Sequence, residues 1–364
     1  MSQAPHSRLI AVKVGSNVLT RSDGSLDVTR MSALVDQIAE LRRQGVGVVL
    51  ISSGAVASGR SELRLPAGQP MDRVDERQLY SAVGQAKLIN LYYELFREYG
   101  IPVGQILTTK ESFSTRRHYL TQRNSIAVML DNGVLPIVNE NDTVSVTELM
   151  FTDNDELSGM IACMMEASTL IILSNVDGIF DGPPGEPGSS VIREVAPERD
   201  LSACIRAEKS DFGRGGMMTK CHIARKVADE GVEVIIANGK REQVLCDLIL
   251  HPDRVVCTRF RPRSGASSDM KKWLTHSIGF AKGQLELSEE TARELGGDTA
   301  RSLLPAGVLR VIGSFEKDDI VRLVTPDGRD IGVGRIAVGS EEARHLAGGS
   351  DSRPLIHYDH LYLE

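Results

Sequence analysis

A series of short, uniformly apolar segments, separated by segments of helical length, restricts the fold of this chain more than any other feature. Strands that are apolar on both faces are buried on both faces, as in parallel sheets covered by helices. Between them, apolar residues recur at helical spacing over residues 28–44 and 76–99. The sequence therefore predicts an α/β domain with a mainly parallel open sheet sandwiched by helices. The predicted strands are residues 9–14, 46–51, 103–107, 134–138, 170–173 and 232–237.

The pattern changes after about residue 260. Before that point, a Pro- and Gly-rich stretch at 181–199 predicts an excursion or hairpin. After it, a polar linker precedes short strands with glycine turns, such as VLRVIGSF and DIVRLVTPDG. We expect an α/β domain over residues 1–260, a linker over 261–278 and a small, mostly β domain over 279–364.

The composition excludes several classes of protein. Hydrophobic residues make up 41% of the 364 residues and charged residues 25%, so a mainly disordered chain is excluded. The net charge of −7 argues against a broad nucleic-acid-binding surface. No apolar segment is long enough to predict a membrane span, and the first apolar run is too short for a signal peptide. The five cysteines have no zinc or CxxC spacing, which predicts reduced thiols in a cytoplasmic protein.

Two glycine-bearing loops follow the first two predicted strands. Lys13 lies inside an apolar strand, where a charged side chain is costly unless it is paired or used, and Gly15 follows it. At the end of such a strand the Lys13 ammonium would reach phosphate oxygens of a ligand. The second loop, residues 52–55 (SSGA), offers small side chains and backbone amides for an anion or a carboxylate. The ordinary alternatives are an edge lysine and a serine that caps a helix.

Two clusters of acidic and amide residues lie close together in the chain. Residues 139–142 (NEND) directly follow the fourth predicted strand, and residues 153–156 (DNDE) come soon after. Such groups bind an ammonium group, orient a catalytic lysine or hold Mg²⁺. Solvated turns and an acidic helix N-terminus are the alternative, which a position at the end of a strand disfavours.

A further loop at 213–220 (GRGGMMTK) leads into a predicted helix. Glycine amides, a helix N-terminus and Lys220 suit the phosphates of a nucleotide, and a plain flexible loop is the alternative. Two lysines, glycine loops and acidic or amide residues, without an obvious nucleophile, favour phosphoryl transfer by positioning and charge neutralisation. A carboxylate acceptor would have no proton to lose, so no general base would be needed.

Six stretches, in order along residues 8–250, carry a resemblance to a known family. They are VKVGSNVLT (12–20), SSGAVASG (52–59), LYSAVGQAKL (79–88), PIVNENDTV (136–144), FTDNDELSG (151–159) and GRGGMMTK (213–220). Through these stretches the chain resembles the amino acid kinase family and, within it, the branch that phosphorylates glutamate. The C-terminal part resembles a PUA domain through SLLPAGVLRVIG (302–313) and the later IGVGR.

The resemblance implies the amino acid kinase fold and the reaction of ATP with L-glutamate to L-glutamyl 5-phosphate and ADP, the first step of proline biosynthesis. Lys13 and Lys220 would neutralise the transferring phosphoryl group, and Asp155 would orient both. Mg²⁺ would ride on the ATP phosphates, without a protein ligand. The residues expected to bind glutamate are Ser53, Asp142 and Asn154. Those expected around ATP are Lys13, Gly15, Ser174, Asn175, Arg214, Gly215, Gly216, Met217, Met218, Thr219 and Lys220.

Three departures from the family pattern concern nucleotide contacts and regulation. Ser174 and Asn175 stand where a Thr-Asp pair is common, Met150 where a basic residue is frequent, and Thr152 where glycine is common. The lysines, the NEND cluster and Asn154 are unaffected. The resemblance also implies a homo-oligomer, a dimer or tetramer, and proline as feedback inhibitor, with residues 60–120 as the region of the interface and the inhibitor pocket.

Three other functions stay open on the sequence. Another kinase of this fold would act on N-acetylglutamate, aspartate, carbamate or a nucleoside monophosphate, against which the NEND and DND pairing and the PUA-like tail argue. An RNA-binding regulator would use the PUA-like domain. However, residues 279–364 hold 10 Lys and Arg against 15 Asp and Glu, a net charge of −5, whereas phosphate backbones are bound through cations. An inactive sensor of glutamate or proline is disfavoured by the two lysines.

Overall fold

The structure is a computed structural model, and it describes residues 8–63, 71–113, 115–144, 151, 153–183, 186, 188–199, 216–263, 281–297 and 301–363. The chain divides into two compact units. One comprises Met1–Lys110 and Thr121–Gly265, and the other comprises Glu111–Leu120 and Ala266–Glu364. The sequence-based bounds at 260 and 279 stay a prediction, and most of the expected linker lies outside the described residues.

The first unit is built on an eight-stranded sheet. Its strands are β1 (Arg8–Val14), β2 (Val46–Ser52), β3 (Val103–Thr108), β4 (Leu135–Glu140), β5 (Thr169–Ser174), β6 (Glu194–Val195), β7 (Glu233–Asn238) and β8 (Cys257–Phe260). Their order across the sheet is β3-β4-β2-β1-β5-β7-β8-β6. β1 pairs in parallel with both β2 and β5, while β7 and β8 run antiparallel. The mainly parallel open sheet that the apolar segments predict is confirmed.

The helices described over the same part of the chain connect these strands. They are α1 (Ser16–Leu19), α2 (Val28–Arg43), α3 (Ala55–Leu63), α4 (Arg73–Arg97), α5 (Arg116–Asp131), α6 (Asn154–Met164), α7 (Met217–Asp229) and α8 (Val244–Leu250). α4 begins three residues before its predicted start at residue 76. The reason is local, because the carboxylate of Asp72 accepts hydrogen bonds from the backbone N–H groups of Val74 and Asp75 and so caps the helix there.

Helices cover both faces of this sheet. On one face, Ile10, Val12 and Val14 of β1 join a buried core with residues of α2, α4 and α8. On the other face, α6 lies against β1 and β5, and α7 lies against β7. Successive side chains of a strand point to opposite faces. Lys13 therefore faces α6, in which it meets Asp155.

The Pro- and Gly-rich stretch predicted as an excursion closes in an antiparallel pairing. Phe180 and Val191 form an antiparallel bridge, and the backbone N–H of Asp181 donates to the carbonyl of Ser190. β6 then pairs in parallel with β8 at the edge of the sheet.

The second unit contains a five-stranded sheet. Its strands are β9 (Gly283–Leu287), β10 (Val308–Gly313), β11 (Ile320–Val324), β12 (Asp330–Arg335) and β13 (Leu361–Leu363), and its helices include α9 (Glu289–Leu295) and α10 (Ser340–Leu346). The order across the sheet is β10-β9-β11-β12-β13. Leu285, Leu323 and Ile336 are fully buried in its core. The prediction of a second, mostly β domain is confirmed.

The structure bears on two expectations from the composition, on membrane spans and on the cysteines. Over the described ranges, no helix is both long enough and apolar enough to cross a membrane. Cys163, Cys221, Cys246 and Cys257 are buried and outside any disulfide, as expected for reduced cysteines. Cys204 lies outside the described residues.

Candidate active site

The carboxyl ends of β1, β2, β4 and β5 border a cavity of about 660 Å³ in the first unit. Parallel strands bring their carboxyl ends to one edge of a sheet, so residues far apart in sequence meet there. Many of the residues singled out from the sequence line this cavity: Lys13, Gly15, Ser53, Asp142, Asn154, Asp155, Ser174 and Lys220.

The two lysines meet on a single carboxylate. Lys13 Nζ lies 2.6 Å from Asp155 Oδ1, and Lys220 Nζ lies 3.0 Å from Asp155 Oδ2. Asp155 is 1% exposed, so the three charges form a largely desolvated ion triad. Each lysine holds a different oxygen, which fixes the two ammonium groups side by side at the cavity.

Local sequence explains why Asp155 stands there. It lies in the first turn of α6, and the carboxylate of Asp153 caps that helix by accepting from the backbone N–H groups of Asp155 and Glu156. Acidic residues are favoured in a first helical turn by the helix dipole. The same turn that begins the helix therefore presents the carboxylate to both lysines.

The two neighbouring carboxyls differ in pKa. Burial raises the pKa of Asp155, but the charges of Lys13 and Lys220 outweigh it, and the pKa lies below the ordinary value. For Asp153, burial and then the charge of Asp155 raise the pKa above the ordinary value. Asp155 is thus the group held ionised between the lysines.

Two tight loops bring backbone to the cavity. The N–H of Gly15 donates to the carbonyl of Leu173, and a Cβ at Gly15 would lie 3.2 Å from that oxygen. Gly54 adopts φ +102°, in the left-handed region that favours glycine. This turn lets the chain pass from β2 directly into α3, so that Ser53 faces the cavity.

A chain of amide groups connects the predicted glutamate residues to the inside of the protein. Asn154 Nδ2 donates to Ser53 Oγ over 2.9 Å and to Asn139 Oδ1 over 3.0 Å. Asn139 Nδ2 in turn donates to Gln85 Oε1 over 2.8 Å. Asn139 and Gln85 are buried. The positions of Ser53 and Asn154 thus depend on a residue of α4.

Arg77 is a site residue that the sequence reasoning missed. Its Nε donates to Asp142 Oδ1 over 2.7 Å, and its second terminal nitrogen donates to Glu140 Oε2 over 2.9 Å. The guanidinium therefore holds two carboxylates of the NEND cluster at the cavity. A signal was available: Arg77, Ser81 and Gln85 follow at intervals of four residues, which places three polar groups on one face of a predicted helix.

The structure gathers fewer of the expected nucleotide residues. Ser174 lines the cavity, whereas Asn175 is exposed and not among the described lining residues. Gly216 caps α7, and Met218 in its first turn is 53% exposed. The described residues that line the cavity do not include Met217 or Thr219 either. Arg214 and Gly215 lie outside the described residues, as do Met150 and Thr152.

Known families match both units. A model of the amino acid kinase family matches residues 8–238. The chain belongs to the amino acid kinase family. A model of the PUA domain matches residues 283–357, which confirms the second resemblance seen in the sequence.

The curated relatives are similar over the full length. A glutamate 5-kinase of Bacteroides thetaiotaomicron is 63% identical over 355 residues, 98% of each chain. One of Chlorobaculum tepidum is 44% identical over 363 residues, 99% of each chain. A solved UMP kinase of Ureaplasma parvum aligns with a TM-score of 0.47 at 16% identity, over 70% of this chain and 98% of the other. The curated relatives confirm that the chain falls in the predicted glutamate branch of this kinase family.

Proposed function

We propose that this chain transfers the γ-phosphoryl group of ATP to the side-chain carboxylate of L-glutamate, giving L-glutamyl 5-phosphate and ADP as the first step of proline biosynthesis. The observation that carries the proposal is the triad of Lys13, Asp155 and Lys220 at the cavity. A carboxylate and a polyphosphate repel each other. Two adjacent ammonium groups at the point of transfer would offset that repulsion. Their effect would be largest in the transition state, where negative charge spreads over the oxygens of the transferring phosphoryl group.

Asp155 would act by holding the lysines rather than by taking a proton. Its pKa is lowered by the two lysine charges, which outweigh its burial, so it is ionised at neutral pH. The acceptor carboxylate is ionised as well and attacks without losing a proton. The chemistry therefore needs orientation and charge, which this triad supplies.

The glutamate end of the cavity would lie at Ser53, Asn154 and Asp142. Ser53 and Asn154 offer hydrogen bonds to the amino acid, and Asp142 offers a charge for its α-ammonium group. Arg77 keeps Asp142 fixed and adds a cation beside it. An acylated amino group carries no positive charge, so N-acetylglutamate would lose the contact with Asp142.

ATP would lie towards Ser174 and α7. Lys220 is one turn into α7, so the helix N-terminus and the lysine would face the same phosphates. Among the described residues, no group of three or more His, Cys, Asp or Glu side chains forms a metal cage. We expect Mg²⁺ to be carried on the ATP phosphates, since this ion commonly keeps phosphate and water ligands. Bound in this way, Mg²⁺ would supply further neutralisation of phosphate charge.

An acyl-phosphate trap tests the proposal. The purified protein is incubated with ATP, Mg²⁺ and hydroxylamine, and with glutamate, aspartate or N-acetylglutamate in separate reactions. We expect hydroxamate with glutamate alone. Lys220→Ala should lower it by about a hundredfold or more, because a charge-assisted contact to the phosphoryl group is lost.

The controls separate the alternatives. Lys240→Ala removes an exposed lysine outside the triad and should leave the rate near that of the wild type. Hydroxamate with another acid would refute glutamate as substrate. An equal rate in Lys220→Ala would refute the role of the triad.

We further propose a homo-oligomer, proline as feedback inhibitor and a cytoplasmic location, on the strength of the family alone. We also propose that the PUA domain serves assembly or regulation, because its net charge of −5 over residues 279–364 disfavours a phosphate backbone. The full-length chain is therefore expected to leave a labelled structured RNA unshifted at micromolar protein in a gel assay. A shift that weakens steeply with salt would contradict this.

A further inference from the structure

The amide chain behind the cavity has a defined hydrogen-bond polarity. The backbone N–H of Glu140 donates to Asn139 Oδ1 over 2.9 Å. A backbone N–H is only a donor, so it fixes which end of the Asn139 amide is oxygen. Asn139 Nδ2 must then face Gln85, and Gln85 presents Oε1 as its acceptor at 2.8 Å.

This polarity passes on to Asn154 and Ser53, which line the cavity together with Asn139. Asn139 Oδ1 also accepts from Asn154 Nδ2, whose second hydrogen goes to Ser53 Oγ. Both hydrogens of the Asn154 amide are thereby used, and its Oδ1 is left as an acceptor. Ser53 Oγ accepts from Asn154, so its own hydroxyl hydrogen is available as a donor.

We propose that Gln85 is a positioning residue that anchors the amide chain of the glutamate pocket by accepting from Asn139 Nδ2. The inference rests on the proposed function. Through Asn139, the Gln85 acceptor holds Asn154 with its oxygen, and Ser53 with its hydrogen, available to the substrate. The pocket then selects a ligand with a carboxylate oxygen at Ser53 and a hydrogen-bond donor at Asn154. Gln85 supports this selection from inside α4, without touching the substrate itself.

The specific test replaces the acceptor. Gln85→Met keeps the length and apolar stem of the side chain but leaves Asn139 Nδ2 without its buried partner. The Glu140 N–H still fixes which end of the Asn139 amide is oxygen, but the amide loses the anchor at its nitrogen. The positions of Asn154 and Ser53 are then less closely held. An unpaired buried donor is costly, and we expect the KM for glutamate to rise about tenfold or more. The KM for ATP should change by less than about twofold, because the triad of Lys13, Asp155 and Lys220 lies outside the amide chain.

Two further variants separate loss of the hydrogen bond to Asn139 from a change in packing. Gln85→Glu has the same shape and keeps an acceptor oxygen, so we expect its KM for glutamate to return to within about threefold of the wild type. Gln85→Asn retracts the oxygen by one methylene and should raise the KM in the same direction as Gln85→Met, which keeps the test usable if the Met variant does not fold. The matched control is Asn90→Met, at an exposed position of the same helix, and both KM values should stay unchanged.

Three results would overturn the inference. An unchanged KM for glutamate in a folded Gln85→Met or Gln85→Asn protein overturns the inference. So does a Gln85→Glu variant as impaired as Gln85→Met, or a parallel rise of both KM values, since either would indicate an effect of packing rather than of the hydrogen bond to Asn139. Failure of the wild type to form hydroxamate from glutamate would refute the proposed function instead, so the two failures are distinguishable.

Discussion

Replacing Asp155 with Asn is expected to lower kcat by about two to three orders of magnitude. The change removes the only negative charge of the triad, and breaking a buried ion pair on one side costs about 3–5 kcal/mol. Lys13 and Lys220, now held at an amide whose nitrogen is a donor, would repel each other and turn away from the point of transfer. Stopped hydroxamate assays at saturating ATP and glutamate measure the effect.

The control for this variant is Asp253→Asn, at an exposed position away from the cavity, which should keep the wild-type kcat. A folded Asp155→Asn protein with a kcat within about tenfold of the wild type would show that the lysines need no carboxylate to hold them. The proposed mechanism would then lose its orienting group.

The pH dependence of stability gives the same variant a second measurement. Burial opposes the ionisation of Asp155, but the two lysine charges prevail and lower its pKa. Its contribution to stability is therefore fully present above the ordinary pKa of about 4 and is lost only as the pH falls through the lowered value. In thermal melts, Asp155→Asn should be less stable than the wild type at pH 7, and the difference should begin to close only below about pH 4.

Gly84→Ala is expected to destabilise the fold of the first unit strongly. A Cβ at Gly84 would lie 1.8 Å from the carbonyl oxygen of Ala55 and 2.5 Å from the backbone nitrogen of Gly59. Both are backbone atoms of α3, so relief requires the two helices to separate. Overpacking of this kind costs about 3 kcal/mol or more, and we expect a melting temperature lower by several degrees.

The same substitution should also reach the site. α3 begins at Ala55, two residues after Ser53, and α4 carries Gln85 one residue after Gly84. Separation of the helices would therefore move both ends of the amide chain, and the KM for glutamate should rise more than the KM for ATP. Gly182→Ala is the matched control, because its new Cβ would meet the nearest atom at an ordinary 3.5 Å. Equal melting temperatures for the two variants would show that α3 and α4 tolerate a methyl group between them.

Much of the first unit followed from local patterns. Strands such as β1 and β5 are apolar on both faces, and only a sheet covered on both sides buries them. The same pattern marks Lys13 as unusual, because a lysine inside a buried strand needs a partner for its ammonium group. The acidic start of α6 and the glycines before Lys220 were likewise visible as helix N-termini.

The sequence was less informative where contacts depend on helix packing. Arg77 and Gln85 lie in α4, more than 50 residues before their partners in the 139–142 cluster. Their polar face was present in the sequence, but nothing local shows which strand end that face meets. Asn175 is the opposite case. It directly follows β5, but it is exposed and does not line the cavity.

The sequence by itself determined which residues stand at strand ends and helix starts, because periodicity and turn chemistry act over a few neighbouring residues. It thereby determined that Lys13, Asp155 and Lys220 would be available at the edge of a parallel sheet. Only the tertiary structure decided that β1 lies between β2 and β5 and that both lysines reach one carboxylate. The strand order and the packing of α4 depend on how the whole core is filled, which no short segment encodes.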